Sequence, residues 1–448
     1  MNRIMWICNT PLPEVRKELG IKISGESWLQ GISNQLRKQE NIELHYVFPQ
    51  GKMQGLLKRQ INGICFWGFY SNIGKGYELS EKRQQQIKKI VQEINPDIIH
   101  IFGTEFAHTL ECVRSVSDKG KIVVSIQGLI SELAKVYTQK IPITEMVLRL
   151  GDSENLWETK YNFYRRGINE KLVLKEVTNV IGRTAWDKRC VKKRNPNCRY
   201  FYCSETLRES FYEGTWDICK IKKHAIYISQ ANYPIKGFHV FLEALRDVLK
   251  CFSDTHVYVA GGKAFLETDD AYGKYINKLI KKYEIGNRIT FLGVLSMEQV
   301  KEQLLQVHLT VMPSLLENSP NSIGEAMMLG TPVVAAAVGG IPSLVRNEEE
   351  ALLYSGHSAK QLAKCIKRIF KSDDLALQLS ANERSRAEKL YDREVNLEKL
   401  LKIYKVMGKR EKCMEQVKKQ REDYGNEERG YFSIIRSDWR GGWRGGNG

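Results

Sequence analysis

The stretch MPSLLENSPNSIGEAMMLGTPVVAAAVGGIPSLV, Met312 to Val345, reads as the end of a strand, a loop, a short helix and a second strand. Ser319 is expected to cap the helix with Pro320 at its first position, and Gly330 stands where a helix stops. The apolar run PVVAAAV that follows is too short for a helix and suits a strand covered on both faces. Strand, loop, helix and buried strand in that order make the repeating unit of a parallel α/β sheet.

The same alternation starts near Ala225 and predicts five β-α units: HAIYISQ, HVYVAGG, RITFLG, LTVMPS and PVVAAAV as strands, each followed by an amphipathic run. A first series precedes it, with strands at Ile4–Cys8, Glu43–Phe48, Ile98–Phe102, Ile122–Ile126, Asn179–Gly182 and Tyr200–Phe201. Helical patterns cover Ser27–Gln39 and Ser80–Ile94, and the NPD at Asn95–Asp97 ends the latter. The expected fold class is α/β, with two Rossmann-like doubly wound domains facing each other across a cleft. The domains are expected at 1–207 and 223–390, with a helix at 391–407 crossing back to the first domain. Residues 408–448 read as a charged, disordered tail. Its RGG-like end, SDWRGGWRGGNG, also fits a nucleic-acid segment, but two copies are thin support.

Doubly wound sheets hold ligands beyond the carboxyl ends of their strands. At such an end the opening stretch places Glu317 in the loop and Glu325 about one and a half turns inside the helix, on one face with Asn321. Unpaired N–H groups at the helix start suit a diphosphate or sugar hydroxyls. A carboxylate accepts from paired hydroxyls, so Glu325 suits a ribose and Glu317 a sugar. Taken singly, each would pass for a surface acid; the intervening SPNS and the following GTPVV and GGIP make the set specific.

ENSPNSIGEAMMLGTPVVAAAVGGIPSLV resembles the donor-binding segment of family 4 retaining glycosyltransferases, which have the GT-B fold and a Glu-x7-Glu signature. The resemblance runs from Met1 to about Met407 and is strongest in the second half. It implies that Glu317 lies beside the transferred sugar, that Glu325 binds the ribose, and that Asn318, Ser319, Pro320, Asn321 and Ser322 line the sugar and diphosphate. YISQANYPIKGFHVFLEAL resembles the first strand-loop-helix of the donor domain, so Lys236 would neutralise charge on the leaving diphosphate. IKISGESWLQGISNQL resembles the family's glycine loop, where Gly25 would let backbone N–H groups approach the diphosphate. NPDIIHIFGTEFAHTL and KIVVSIQGLIS resemble the strands bordering the acceptor. Two positions depart from the pattern. Gln230 stands near the usual arginine, and Gln127 stands where many members have a titratable histidine. His100, Glu105 or His108 would then take the acceptor-side role, although His100 in mid-strand also suits a structural place.

The resemblance implies transfer with retention to a hydroxyl acceptor from a UDP-sugar or GDP-sugar co-substrate, without a metal or other cofactor. It points to bacterial-type surface polysaccharide or glycolipid synthesis. A nucleotide-sugar epimerase on the same fold, or a protein that binds a nucleotide sugar without consuming it, remains an alternative. The formal net charge of +17 points to a polyanionic partner, with twelve basic against three acidic residues between Lys160 and Arg199. Basic, aromatic-laced stretches at Gly55–Tyr70 and Tyr161–Val177 suit an anionic membrane surface and a lipid-linked acceptor as well as core helices with basic flanks. Nucleic acid is the least favoured partner. Ten scattered cysteines without a CxxC pair argue against a zinc site and for a reducing compartment. No run approaches a membrane span. The expected location is cytoplasmic, peripheral on the inner face of the plasma membrane.

Overall fold

In the computed structural model of the chain, the described residues are 2–20, 28–51, 55–71, 76–261, 264–267, 270–355 and 357–408. Residues up to Leu400 form one compact unit built on two sheets. The described part of a second unit, 401–408, is helical. Gly25 and the tail beyond 408 lie outside the described residues.

The first sheet contains β1 (Asn2–Cys8), β2 (Ile42–Gln50), β3 (Leu57–Ile61), β4 (Ile64–Tyr70), β5 (Ile98–Phe102), β6 (Ile122–Ser125), β7 (Asn179–Gly182) and β8 (Arg199–Tyr202). Its order is β3-β4-β2-β1-β5-β6-β7-β8. All pairings are parallel except the β3–β4 hairpin at the edge. The chain runs outward from β1 on both sides, so its switch point lies between β1 and β5. The second sheet contains β9 (Lys222–Ile228), β10 (His256–Ala260), β11 (Ile289–Gly293), β12 (Val307–Met312), β13 (Val333–Ala336) and β14 (Leu352–Tyr354), in the order β11-β10-β9-β12-β13-β14. Its switch point lies between β9 and β12. The fold is the expected pair of Rossmann-like domains.

Local chemistry accounts for the elements it could be read from. The Glu81–Ile94 helix is capped by Ser80, whose Oγ accepts from the Arg83 N–H at 3.3 Å, and it stops at Asn95 with φ of 46°. Ile87, Ile90 and Ile94 form its buried stripe. β9, β12 and β13 are apolar and buried along most of their lengths, as strands covered by helices on both faces should be.

Three expectations need correction. The Gly55–Tyr70 stretch is neither a helix nor a surface anchor. It forms β3 and β4: the inner strand β4 buries Phe66, Trp67 and Phe69 in the core, while the edge strand β3 leaves Lys58 and Arg59 to solvent. The second sheet has a sixth strand, β14, three residues long and too short for periodicity to reveal. The helix after β12 begins at Asn321 with Pro320 as its N-cap. Pro320 has an extended ψ of 123°, so Ser319 cannot serve as the cap.

The segment between β6 and β7 clasps the second sheet. Tyr137, Ile141, Met146 and Leu156 pack into the same buried cluster as Ile226, Phe241 and Val257. His239 Nε2 lies 3.0 Å from the Gln139 carbonyl oxygen, and the Ala271 N–H donates to the Ser153 oxygen at 3.2 Å. Asn396, in the helical stretch 393–400, donates to the Glu205 and Leu390 carbonyl oxygens, so this part of the chain lies against the segment that follows β8.

Candidate active site

The loops after β9 and β12 leave the second sheet at its switch point, side by side. Backbone zips them together: the Leu315 N–H donates to the Ile235 oxygen at 2.7 Å. Gly237 makes the approach feasible. Its φ is 66°, and a Cβ there would sit 1.9 Å from the Pro313 carbonyl oxygen. Gly237→Ala is therefore expected to cost roughly 3 kcal/mol or more of stability, from overlap with backbone plus a left-handed alanine. The midpoint of urea unfolding would show it.

This juxtaposition brings together two residues 81 positions apart. Lys236 Nζ donates to Glu317 Oε1 at 2.7 Å, and Ser314 Oγ donates to the same oxygen at 2.9 Å. Both charged side chains are mostly buried. Burial alone would lower the Lys236 pKa, but Glu317, with Tyr233 beside it, carries it above the ordinary lysine value. Lys236 is a fixed cation at neutral pH. The Glu317 backbone is held from the other side by the GGIP turn. The Gly340 N–H donates to the Glu317 oxygen at 2.9 Å, and a Cβ on Gly339, at φ of 54°, would lie 2.0 Å from that oxygen.

The Asn321–Leu329 helix points its N-terminus into the same region. No side chain caps it, and Gly330 closes its far end in the left-handed conformation. Ser322 and Asn321 occupy its first turn, with Ser319 buried just before it. Glu325 is buried, and burial raises its pKa while Arg208 opposes the rise. Arg208 Nε donates to Glu325 Oε1 at 2.8 Å. This arginine, in the segment joining the two sheets, was not singled out by sequence reasoning. No motif marks it, because only the folded linker brings it across 117 positions to the helix. Arg208 also borders a cavity shared by Gln30, Asn34, Met297 and Arg393. Gln230 follows the end of β9, with its Cγ facing Gly261.

Asn318 is buried and joins the two domains. Its Oδ1 accepts from Thr184 Oγ1 at 2.8 Å, and its Nδ2 donates to the Ile126 and Gln127 carbonyl oxygens at 3.4 Å. Beside it, the Ala185 N–H donates to Ser343 Oγ at 3.1 Å. The carboxyl ends of β6 and β7 thus meet the loop after β12.

On the first domain, Gln127 belongs to a closed polar ring. Its Nε2 donates to Glu205 Oε1 at 2.6 Å, its Oε1 accepts from Arg183 at 3.3 Å, and Arg183 pairs with Glu205 at 2.7 Å. These three residues line a cavity together with Trp28, His100 and Asn396. Arg183 and Glu205 are further functional candidates that sequence reasoning missed, for the same reason as Arg208.

The three acceptor-side candidates do not converge. His100 is buried in that cavity wall, 2.6 Å from Ser125 Oγ, and burial drives its pKa down to about 3. His108 lines a separate cavity with Asn9, Arg83 and Phe106. Burial, then Arg83 and Arg166, bring its pKa down to about 3. Neither imidazole is a competent base at neutral pH. Glu105 Oε1 accepts from the Gly128 N–H at 3.2 Å, and burial raises its pKa against the pull of Arg166. The depressed His108 has a consequence for stability. The unfolded chain takes up a proton near pH 6.5 and the folded chain does not, so stability falls as pH drops below that value. His108 alone should cost about 2 kcal/mol between pH 7 and pH 5. Urea midpoints at the two pH values would show it, and His108→Gln should remove that part of the slope.

Among the described residues one group of metal-ligand types comes together, Glu43, His45 and Cys65. Trp67 Nε1 donates to His45 Nδ1 at 3.1 Å, so the neutral imidazole carries its proton on Nε2, which faces Glu43. That nitrogen offers no lone pair to a metal in this arrangement.

Residues 217–386 match the family described as "Glycosyl transferases group 1". A putative glycosyltransferase, YtcC of Bacillus subtilis, is 26% identical over 172 residues, 38% of this chain and 42% of that protein. A D-inositol 3-phosphate glycosyltransferase of Mycobacterium marinum is 32% identical over 142 residues, 31% of this chain and 29% of that protein. The matched region spans less than half the length of these relatives. Among solved structures, sucrose-phosphate synthase of Thermosynechococcus elongatus aligns at a TM-score of 0.66 and 16% identity, over 91% of this chain and 99% of its own. HepE of Anabaena, solved in complex with UDP-glucose, aligns at 0.61 and 16%, over 91% and 100%. The fold is GT-B.

Proposed function

We propose that this chain is a retaining glycosyltransferase that moves a sugar from a UDP-sugar or GDP-sugar to a hydroxyl acceptor. The observation that carries the reading is the Lys236–Glu317 pair at the switch point of the second sheet, beside an uncapped helix N-terminus. A nucleoside diphosphate leaving group needs a fixed cation and N–H donors where its charge grows, and this corner supplies both. The HepE complex with UDP-glucose supports a nucleotide sugar as donor.

The sugar C1–phosphate oxygen bond breaks as the acceptor oxygen bonds C1 on the same face, and the acceptor proton passes to the departing phosphate oxygen. Lys236 balances the charge of the diphosphate, Glu317 positions the sugar, and Glu325 takes the ribose hydroxyls. No protein nucleophile is required, in contrast to paired-carboxylate retaining hydrolases. The step needs no metal or other cofactor. Gln127, held by Glu205 and Arg183, orients an acceptor by hydrogen bonds and does not carry its proton. The acceptor is a glycan or a lipid-linked glycan of surface polysaccharide or glycolipid synthesis, which fits an enzyme working peripherally at the cytoplasmic face of a membrane.

The test is a thermal-shift screen against UDP-, GDP-, ADP- and CMP-sugars and their free nucleotides, followed by a transfer assay with the sugar that stabilises. Stabilisation by one nucleotide class with release of free nucleoside diphosphate in the presence of acceptor is expected. No shift with any nucleotide would sink the reading. Stabilisation without turnover would favour a binding protein, the second reading that the fixed, non-titrating Gln127 supports.

A further inference from the structure

Exposed apolar side chains concentrate on one part of the first domain. Of the fourteen large hydrophobic side chains exposed among the described residues, eight lie between Ile143 and Ile168. Seven of the eight lie on two helices that follow each other in the chain, and Leu150 lies just after the first. The short Ile143–Leu148 helix exposes Ile143 and Leu148 at 70% and 74%. The Leu156–Glu176 helix exposes Trp157, Tyr161, Tyr164 and Ile168. These four are spaced by four, three and four residues, which aligns them in one stripe about 16 Å long. A stripe of this kind on a soluble surface marks an interaction site.

We propose that this face docks on an anionic lipid bilayer. Composition favours a bilayer over a protein partner. Trp157, Tyr161, Tyr164 and Ile168 on one exposed stripe are the amphipathic aromatic mixture of an interfacial helix. Charge is complementary as well. Lys171 and Lys175 are exposed on the same helix and continue the line of Tyr164 and Ile168. Arg165 lies over the rings of Tyr77 and Tyr161 at the margin of the stripe. Two acidic groups of the segment are turned away and neutralised: Glu145 by Lys278 and Arg149, and Asp152 by Lys274 at 2.6 Å. Glu154 and Glu158 are the exposed acidic exceptions. The same segment plants Tyr137, Ile141, Met146 and Leu156 in the core of the second domain, so the docking face is rigidly tied to both domains. The inference rests on the peripheral membrane location proposed above and deepens it by naming the face that docks; it does not depend on the transfer reaction.

The experiment is co-sedimentation of the full chain with vesicles of phosphatidylcholine alone or mixed with phosphatidylglycerol. Binding to the anionic vesicles is expected, weakening as salt rises. The combined substitutions Leu148→Ser, Trp157→Ser and Tyr164→Ser lie at exposed positions and should leave the thermal midpoint in place. They should lower vesicle partitioning by about tenfold or more. Lys171→Glu with Lys175→Glu should abolish the preference for phosphatidylglycerol. Unchanged partitioning of the triple variant would overturn the proposal. So would an absence of vesicle binding combined with self-association in solution that the triple variant abolishes. Nucleotide-dependent thermal shifts, read on the same samples, report separately on the donor site.

Discussion

Lys236→Ala is expected to lower the rate constant for sugar transfer by about two to three orders of magnitude, the usual loss when one preorganised charge-stabilising donor is removed. The lysine ammonium is already in place before substrate arrives, fixed by Glu317 at 2.7 Å and buried with it. In the proposed reaction no reorganisation is then needed as charge moves onto the diphosphate. The substitution also leaves the Glu317 carboxylate in a mostly buried position with only Ser314 bonded to Oε1. Stranding one member of such a pair costs about 3 kcal/mol in stability. The two effects are separable: steady-state rates with saturating donor report the first, and urea unfolding of the free protein reports the second. Lys236→Arg retains the charge and should recover stability better than rate, because a planar guanidinium cannot reproduce the geometry of the ammonium. If Lys236→Ala transferred sugar at the parent rate, the assignment of this corner to the leaving group would be wrong.

Glu325→Ala is expected to weaken nucleotide binding by about 10- to 100-fold, as hydrogen bonds to a charged group contribute about 1.5–3 kcal/mol. The effect should fall on donor affinity more than on the rate at saturating donor, because a ribose is bound alike in ground and transition states. Titration calorimetry with the nucleotide found by thermal shift would measure it. Arg208 complicates the site. Its guanidinium is bonded to the carboxylate, so a nucleotide must share or displace it. Arg208→Ala therefore discriminates between roles. Tighter nucleotide binding would identify Arg208 as a competitor for Glu325, and weaker binding would identify it as a second cation for the donor. An Arg208→Ala/Glu325→Ala double variant closes the cycle.

The architecture was legible wherever chemistry is local. Asn95 and Gly330 terminate helices with their own backbone preferences, and the apolar runs of β5 and β7 match their predicted bounds residue for residue. The Glu317–Glu325 spacing and the position of Lys236 before a helix could be recognised because both are short-range patterns. β3 and β4 were misread because the basic residues sit on one strand of the hairpin and the aromatic residues on the other. Only the pairing makes β3 the exposed edge of the sheet and β4 a buried inner strand. β14 escaped because three residues carry no usable period.

Period, caps and turn residues act over a few positions, so the α/β class, the pair of Rossmann-like domains and the loops that bear the charged candidates could be read from the chain alone. Which charges meet was set by the folded arrangement. Lys236 finds Glu317 because β9 and β12 are neighbours at a switch point, and Arg208 finds Glu325 because the linker folds across the helix. Gln127 is locked by Arg183 and Glu205 because three strand ends converge. It also decided that His100 and His108 are buried and neutral rather than poised for catalysis. Burial and pairing depend on residues dozens to hundreds of positions away, and the free energy of a charge is set by the surroundings that the fold assembles around it.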